Sequence, residues 1–543
     1  MDLFQSEAFS SRVRALMGEH HIPGIAIAVV REDTTASKAF GYVCPGQLVP
    51  VTADTLFGIA SCSKSITAAA VGLLVEDDKY PEVQYDAIVS SLLPGDFVMA
   101  SAEYTKGITV DDILGNRTGM PGHCYAFMGK KARQPDDTLS VVKKLQYLPV
   151  AAPLRSKYIF NDTMYTVLAH LIEVKTQKSF SDFLEERLFE PLGMHSTSLQ
   201  PARAQKKGHG DRMTKGYSYD EQLSTHFEYD CPNSVRTQGA ACIVTSANDC
   251  IKWVKALMYH KGPISEKVYQ GLVRQRTIMN PAGRKLEPFT SPKIYAAGLE
   301  VYYYRGHMVV EHIEAYIGFS SRFFFLPQFK FGACIMGNSD AADIVGGMLA
   351  RELIDAALGV PEIERVPSVK GNPAPRLESK SQEQSGKPSG GGSKQINPQK
   401  HNKPKPKPKP NAENADASQT VPLDAYKGRY WHPGYSNLWV KIKDGRLFID
   451  ATDRSRDLTL RLQHLSNQTK YIAWMHGRGL DERGSADHEG FTYYCQTIRA
   501  EFVFENGRAV MMGLDLELDM DGLIWFEYQN DKLRSSIWYS TYV

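Results

Sequence analysis

Residues 55–74 read TLFGIASCSKSITAAAVGLL, and this stretch decides the fold of the amino-terminal part of the chain. Ser61 and Lys64 open a run of Ala, Leu and Val that is typical of a buried helix. A helix start offers free N–H groups and the positive end of the helix dipole, which favour a developing anion beside Ser61. The i, i+3 spacing predicts that Lys64 reaches the Ser61 hydroxyl. A desolvated lysine can take the serine proton, so the pair is a candidate nucleophile and base.

The composition sets the class of protein around this motif. The chain has 543 residues, 42% of them apolar, and a formal net charge of +2. This balance excludes wholesale disorder and gives no global electrostatic reason to bind nucleic acid or an anionic membrane. The eight cysteines include no Cys-x-x-Cys pair, which argues against a disulfide framework or a structural zinc site.

The same sequence predicts where the protein works and what it binds. No apolar run approaches the roughly 18 residues of a membrane-spanning helix, and the start of the chain lacks the pattern of a secretory signal. We expect a cytoplasmic protein with a small-molecule substrate and with no metal or organic cofactor. Self-association of the chain into a homo-oligomer stays open.

Three regions follow from the hydrophobic pattern: 1–365, a linker over 366–420 and 421–543. The linker is rich in Pro, Lys, Ser and Gly and holds few large apolar residues, so we expect it to be disordered. In the first region, strand-like segments at 22–33 and 320–340 enclose helical patterns, which favours an α+β fold with an antiparallel sheet flanked by helices.

The region after the linker predicts an all-β barrel. Its short segments alternate apolar and polar residues without a helical period. Asp444-Gly445 and Asn506-Gly507 are two-residue signals for tight hairpins, because both positions of the favoured turn need a positive φ.

Beyond the Ser61 stretch, four further segments carry a family resemblance. The stretch around Ser61 resembles the nucleophile helix of serine β-lactamases and penicillin-binding proteins, and in particular of the lactamase-like esterases, D-peptidases and acyltransferases. The segments 21–30, 108–123, 171–199 and 238–258 resemble other parts of that superfamily. The resemblance covers roughly residues 10–360 and implies an additional all-helical lobe. Residues 423–450 resemble the lipocalin-like carboxy-terminal domain of some members, a layout that by analogy suggests a fungal protein of secondary metabolism.

The second motif of this superfamily is Tyr-x-Asn, with a tyrosine three residues after the asparagine. Anchored on Tyr165, the triplet in this chain is Phe160-Asn161-Asp162. Phe160 lacks the phenol that the resemblance assigns as general base or proton shuttle. Asp162 replaces a neutral amide with a carboxylate. Both functional positions of the motif are therefore altered.

These changes leave several assignments open. If Asp162 faces Lys64, it stabilises the ammonium form and opposes a neutral lysine base. Asp162 itself, or a hydroxyl from Tyr158 or Tyr165, are alternative proton acceptors. Packing beside a helix is the other interpretation for the two tyrosines. Asp162 is also a candidate N-cap for a helix that begins near Thr163.

The third motif is a strand triplet that lines the cleft opposite the nucleophile, and its match is His312-Ile313-Glu314. His312 fits an esterase-like variant, although a hydrogen-bonded sheet histidine is the alternative. Glu314 stands where the resemblance has Gly, so its side chain narrows the cleft or places a charge in it. The N–H groups of Ala315 and Ser61 form the oxyanion hole by analogy.

The leading hypothesis from the sequence is a serine hydrolase or acyltransferase. Ser61 attacks an ester, amide or thioester of a small metabolite, and Lys64 moves the proton with help from Asp162 or a tyrosine. One alternative is a non-hydrolytic acid–base step, such as elimination or cyclisation, that uses Asp162, Lys64 and Glu314. A binding protein that has lost turnover is a second alternative.

Overall fold

The computed structural model describes residues 1–221, 223–366, 419–477 and 494–530. The predicted linker over 366–420 lies almost wholly outside them. The α-helices are α1 (Asp2–Gln5), α2 (Glu7–Glu19), α3 (Ser63–Glu76), α4 (Val89–Leu92), α5 (Ala102–Gly107), α6 (Val110–Leu114), α7 (Thr138–Lys144), α8 (Asp162–Thr176), α9 (Phe180–Leu184), α10 (Pro201–Lys206), α11 (Ala247–Tyr259), α12 (Glu266–Val273) and α13 (Ala342–Ala357). The strands are β1 (Gly24–Arg31), β2 (Thr34–Gly41), β3 (Phe57–Gly58), β4 (Ser198–Leu199), β5 (Gly216–Asp220), β6 (Thr225–Tyr229), β7 (Ile243–Thr245), β8 (Thr277–Ile278), β9 (Ile294–Tyr295), β10 (Glu300–Tyr304), β11 (His307–Tyr316), β12 (Phe319–Leu326), β13 (Phe331–Gly337), β14 (Gly428–His432), β15 (Ser436–Lys443), β16 (Arg446–Ala451), β17 (Leu458–Ser466), β18 (Lys470–Gly477), β19 (Tyr494–Glu505), β20 (Arg508–Leu514) and β21 (Ile524–Gln529).

An antiparallel sheet of eight strands, in the order β2-β1-β13-β12-β11-β10-β9-β8, forms the centre of the amino-terminal part. Strand β1 is buried on both faces, which explains its nearly continuous apolar sequence. Its Ile25, Ile27 and Val29 join one core with α2 and α13, whereas its alanines join the core shared with α3 and α11. The α+β prediction, with strands from both ends of the region in one sheet, is confirmed.

Helix α3 runs through the second core, and almost all its residues are buried. Its side chains pack with those of α8 and α12. The hydroxyl of Thr67 donates to the carbonyl of Gly239 at 2.6 Å, and Ser63 Oγ accepts from the N–H of Ile243 at 3.2 Å. A helix held on every side fixes the position of the Ser61–Lys64 pair at its start.

The carboxy-terminal part is a closed barrel in which strands β14 to β21 pair in chain order and β21 returns to β14. The rings of Tyr426, Tyr430, Tyr471 and Phe502 contact one another inside it. The turns at Asp444-Gly445 and Asn506-Gly507 have positive φ at both positions, as the hairpin prediction requires. The predicted all-β barrel is confirmed.

The barrel contacts the amino-terminal part through the loop between β16 and β17. The N–H of Gly129 donates to the carbonyl of Asp453 at 2.8 Å, and the N–H of Ser455 donates to the carbonyl of Phe127 at 2.9 Å. This backbone pairing holds the next residue, Arg456, over the ring of Tyr125. Within the described ranges, we find no helix with the length and apolar character needed to cross a bilayer.

Candidate active site

Ser61 lies in a short turn, Ala60–Cys62, that leads into α3. Ala60 adopts a positive φ of 40°, a conformation that costs energy for a residue with a Cβ and is often found at functional sites. The thiol of Cys62 lies between β11 and β12, 3.6 Å from the carbonyl oxygens of His312 and Ser321. The turn is thereby held against the strand that carries the third motif.

Lys64 is completely buried and has its ammonium group surrounded by three partners. Nζ lies 2.7 Å from Ser61 Oγ and 2.6 Å from Asp162 Oδ1. The ring of Phe160 lies beneath it, with its centroid 4.2 Å away, which adds a cation–π attraction. A carboxylate and an aromatic face at these distances both attract an ammonium group.

Asp162 is the first residue of α8, and Asn161 caps that helix. Asn161 Oδ1 accepts from the N–H of Met164, and its amide N–H groups donate to the carbonyls of residues 120 and 121. The alternative that Asp162 caps a helix from Thr163 is therefore wrong, because Asn161 already fills that role. The carboxylate of Asp162 turns instead to Lys64, with Arg236 Nη1 at 3.8 Å. Burial raises the pKa of Asp162, but these two cations more than compensate, so it lies below its usual value.

The two tyrosines considered as substitutes for the missing phenol have partners elsewhere. Tyr165 is buried, and its hydroxyl donates to the carbonyl of Leu114 at 2.8 Å. Tyr158 packs against the ring of Tyr295. The structure therefore gives no hydrogen bond from either described phenol to Ser61. Phe160 is 41% exposed and lies at the mouth of the site.

Glu314, on β11, forms the wall opposite α3. Its half-buried side chain lies close to Ser61, Lys64 and Asp162. Burial raises the pKa of Glu314 to about 7, against the lowering effects of Lys64 and of the hydrogen bond with Ser61. That this side chain narrows the cleft or places a charge in it stays a prediction.

His312, two residues earlier on β11, is buried, and its Nδ1–H donates to the carbonyl of Gly298 at 2.7 Å. Burial, helped by the charge of Lys64, lowers the pKa of His312 to about 3, so the imidazole is neutral. Gly298 has a positive φ, and a Cβ there would lie 2.4 Å from the carbonyl carbon of Lys64. Ala315 follows Glu314 on β11 and pairs with Ser320 of β12.

Comparison with known proteins identifies the family to which the chain belongs. A family model described as Beta-lactamase matches residues 9–358, and one described as Domain of unknown function (DUF3471) matches residues 412–528. The chain belongs to the β-lactamase family.

Relatives in the β-lactamase family are similar over most of the chain. The unguisins hydrolase ungD of Aspergillus violaceofuscus is 32% identical over 482 residues, which cover 82% of this chain and 79% of that protein. The D-aminopeptidase of Brucella anthropi is 25% identical over 374 residues, 67% of this chain and 65% of the relative. The octameric penicillin-binding protein homologue from Pyrococcus abyssi shares the fold, with a TM-score of 0.56 at 17% identity over 95% of this chain and 99% of that one. This β-lactamase-family chain is a serine hydrolase in the broad sense.

Two arginines near this β-lactamase-like centre were missed by the sequence analysis. Arg236 precedes one of the family-like segments, and Arg456 comes from the barrel loop. Both lower the pKa of Asp162 by their charge, after the larger effect of Lys64. No motif marked them, because two segments far apart in the chain meet only in the folded protein.

Proposed function

We propose that the chain hydrolyses an amide or ester bond of a small molecule through an acyl-enzyme on Ser61. The observation that carries this proposal is the 2.7 Å distance between Lys64 Nζ and Ser61 Oγ inside a buried, charged centre. The names of two relatives, a hydrolase and a D-aminopeptidase, support bond cleavage by water.

The catalytic steps follow from the groups around Ser61. Its Oγ attacks the carbonyl carbon, and the N–H groups of Ser61 and Ala315 serve as the oxyanion hole. The Lys64 ammonium stabilises the serine oxygen as it loses its proton. Water then attacks the ester formed with Ser61 and releases the acid. An alcohol or amine in place of water would give acyl transfer by the same route.

We extend the proposal to a small metabolite as the substrate, and the side chains that lie beside Ser61 and Lys64 support it. Glu314 fills space beside Ser61, and Phe160 flanks the entrance. The fungal relative named as an unguisins hydrolase supports a secondary metabolite as the substrate.

The octameric neighbour likewise supports self-association, which the molar mass of the purified full chain from light scattering would test.

A second candidate is a non-hydrolytic acid–base step, and the position of Glu314 favours it. A carboxyl group with a pKa of about 7 can both give and take a proton near neutral pH. Beside Lys64 and Asp162 it could support elimination or cyclisation without an acyl-enzyme. Loss of turnover, with binding retained, is the third candidate, and Phe160 and Glu314 are the residues that favour it.

Active-site labelling separates these candidates. The full chain is treated with a fluorophosphonate probe, and the modified peptide is identified by mass spectrometry. We expect one label per chain on Ser61 and none in Ser61→Ala. A matched control is Ser63→Ala, which removes the neighbouring hydroxyl that accepts from Ile243 and should still take the label.

The other outcomes point to the alternatives. If Ser61→Ala keeps full turnover of a substrate that the wild-type protein converts, the non-covalent scheme replaces the acyl-enzyme. If the wild-type protein neither takes the label nor hydrolyses p-nitrophenyl esters and amino-acid p-nitroanilides, binding without catalysis is favoured.

A further inference from the structure

The hydrogen bonds of Lys64 raise the question of which group accepts the hydroxyl proton of Ser61. The ammonium donates to Ser61 Oγ and to Asp162 Oδ1, and it faces the ring of Phe160. A lysine that donates to Ser61 presents no lone pair to it. The hydroxyl proton of Ser61 must therefore leave toward another group when Oγ attacks.

The other polar groups near Ser61 are poor acceptors. Asp162 is held by Lys64 and by Arg236, and its low pKa makes it a weak base. His312 has a pKa of about 3 and is likewise too weak to take a proton near neutral pH. The phenol of Tyr165 is directed to the carbonyl of Leu114.

Glu314 differs from all of these in position. It lies on β11, the strand that packs against the turn carrying Ser61, and its carboxyl lies close to the Ser61 hydroxyl. We propose that Glu314 is the proton carrier of this enzyme, and that its carboxylate takes the hydroxyl proton of Ser61 and returns it to the leaving group. The inference rests on the acyl-enzyme function proposed above.

The proton and electron balance is complete with these groups and water. As Ser61 Oγ bonds to the carbonyl carbon, the C=O π electrons move to oxygen, and the Ser61 proton passes to Glu314. When the tetrahedral intermediate collapses, the C–N or C–O bond breaks, and the leaving group receives that proton from Glu314. Water repeats the sequence: it gives a proton to Glu314 as it attacks, and Glu314 returns one to Ser61 Oγ as the ester bond breaks.

The surroundings of Glu314 determine the pH range in which it works. Its pKa is raised to about 7, mainly by burial and less by the negative charges of Asp162 on α8 and Asp343 on α13, while Lys64 acts in the opposite direction. The buried Cys62 thiol also lies close enough to interact with it, and the pKa of that thiol is raised by burial. Because the carboxylate is the active form, the rate of attack by Ser61 should rise with pH and level off above about 7.

The experiment measures the second-order rate constant for fluorophosphonate labelling of Ser61 between pH 5 and 9. In the wild-type protein we expect a roughly tenfold rise per pH unit below 7 and a plateau above it. In Glu314→Gln we expect a rate at pH 8 that is lower by about 10²- to 10³-fold and has lost that rise. Glu517→Gln is the matched control, because Glu517 is another glutamate whose pKa burial raises to about 7 but it lies outside the reaction centre.

Glu314→Gly tests the opposite explanation, that Glu314 only obstructs the cleft. It restores the residue that the third motif has in the resembling family. If obstruction is the whole role, Glu314→Gly labels faster than the wild-type protein, and the proposal is overturned. If Glu314 carries the proton, Glu314→Gly is as slow as Glu314→Gln, while far-ultraviolet circular dichroism shows both variants folded.

Failure of this inference is distinguishable from failure of the proposed function. A wild-type chain that takes no label on Ser61 overturns both. Normal labelling of the wild-type protein, with an unchanged rate and pH profile in folded Glu314→Gln, overturns only the role of Glu314.

Discussion

Two glutamates, Glu314 in the reaction centre and Glu517 at the junction with the barrel, share a pKa that burial raises to about 7. The carboxyl of Glu314 lies close to the candidate nucleophile Ser61. Glu517 instead accepts from the N–H of His123 and lies 3.1 Å from the hydroxyl of Tyr435. The two carboxyls titrate in the same range, but only one of them contacts a group that can react.

The junction has a proton arrangement of its own. The imidazole of His123 has its Nε2 2.8 Å from the carbonyl of Pro149 and its Nδ1 2.7 Å from the hydroxyl of Tyr435. Its pKa is lowered by burial to about 4, so the ring is neutral and Nδ1 accepts from Tyr435. The single phenol proton cannot serve Glu517 as well, so a protonated Glu517 completes the chain as the donor.

This comparison shows that a raised pKa is first of all a consequence of burial and does not by itself identify a catalytic group. At the junction the neutral acid fits a closed hydrogen-bond network that joins two parts of the fold. In the reaction centre the same tendency leaves a carboxyl poised beside a nucleophile. Position relative to the reacting atom is what separates the two roles.

The largest predicted effect is that of Lys64→Gln. The substitution removes the charge that stabilises the Ser61 oxygen and leaves Asp162 with the weaker effects of Arg236 and Arg456. We expect kcat/KM for a p-nitrophenyl ester to fall by about 10³-fold. Steady-state kinetics at pH 8 measures this.

Lys144→Gln is the control for removing a largely buried lysine. Lys144, the last residue of α7, forms an ion pair with Asp136, which precedes that helix, and it lies over the ring of Phe127. Its loss should lower the melting temperature and leave kcat/KM within about twofold. Equal losses of activity in the two variants would mean that Lys64 acts only through stability.

The second prediction concerns the junction. Because the pKa of Glu517 is raised from 4.5 to about 7, its stabilising contribution is complete below pH 4.5 and is lost as the pH rises through 7. The loss amounts to roughly 3 kcal/mol. Glu517→Gln keeps a neutral side chain at every pH. The free energy of unfolding of this variant should therefore fall less steeply between pH 5 and 8 than that of the wild-type protein.

Calorimetric melting curves of the wild-type protein and Glu517→Gln across that range provide the measurement. Glu314 contributes a slope of the same sign to both proteins, so the difference between the curves isolates Glu517. Parallel curves would show that Glu517 does not titrate with the folded state.

Asp162→Asn tests whether the charge of Asp162 influences Glu314 inside the reaction centre. It removes a negative charge that raises the pKa of Glu314 and that positions Lys64. We expect kcat/KM to fall by about 10- to 100-fold and the acidic limb of its pH profile to move below 7. The opposite result, a slower enzyme with the limb still at about 7, would disconnect Asp162 from the proton carrier.

Local rules explain which features the sequence could predict. Ser61 and Lys64 meet because an i, i+3 spacing on a helix brings them to one face. The turns at Asp444-Gly445 and Asn506-Gly507 follow from the positive φ that short side chains tolerate. Each of these features depends on a few consecutive residues, so the folded context does not change it.

The features that escaped prediction depend on distant partners. Only the family resemblance, which aligned residues 160–162 with the second motif, suggested that Asp162 faces Lys64. The residue that caps α8 is Asn161 and not Asp162. The pKa of Glu314 depends on its position opposite Ser321 in the sheet and on charges from α3, α8 and α13. Arg456 reaches the centre because a barrel loop pairs with residues 127–129, an arrangement that no local pattern encodes.

The smallest predicted effect tests whether the barrel reaches the reaction centre through that loop. Arg456 lowers the pKa of Asp162 by its charge, less than Lys64 and Arg236 do. Arg456→Gln should therefore reduce kcat/KM by about threefold or less, and should leave the melting temperature nearly unchanged. Arg499→Gln is the control, because Arg499 pairs with Asp515 on the exposed barrel surface. If the two variants have identical kinetics at low and high salt, the barrel supports the fold without contributing charge to catalysis.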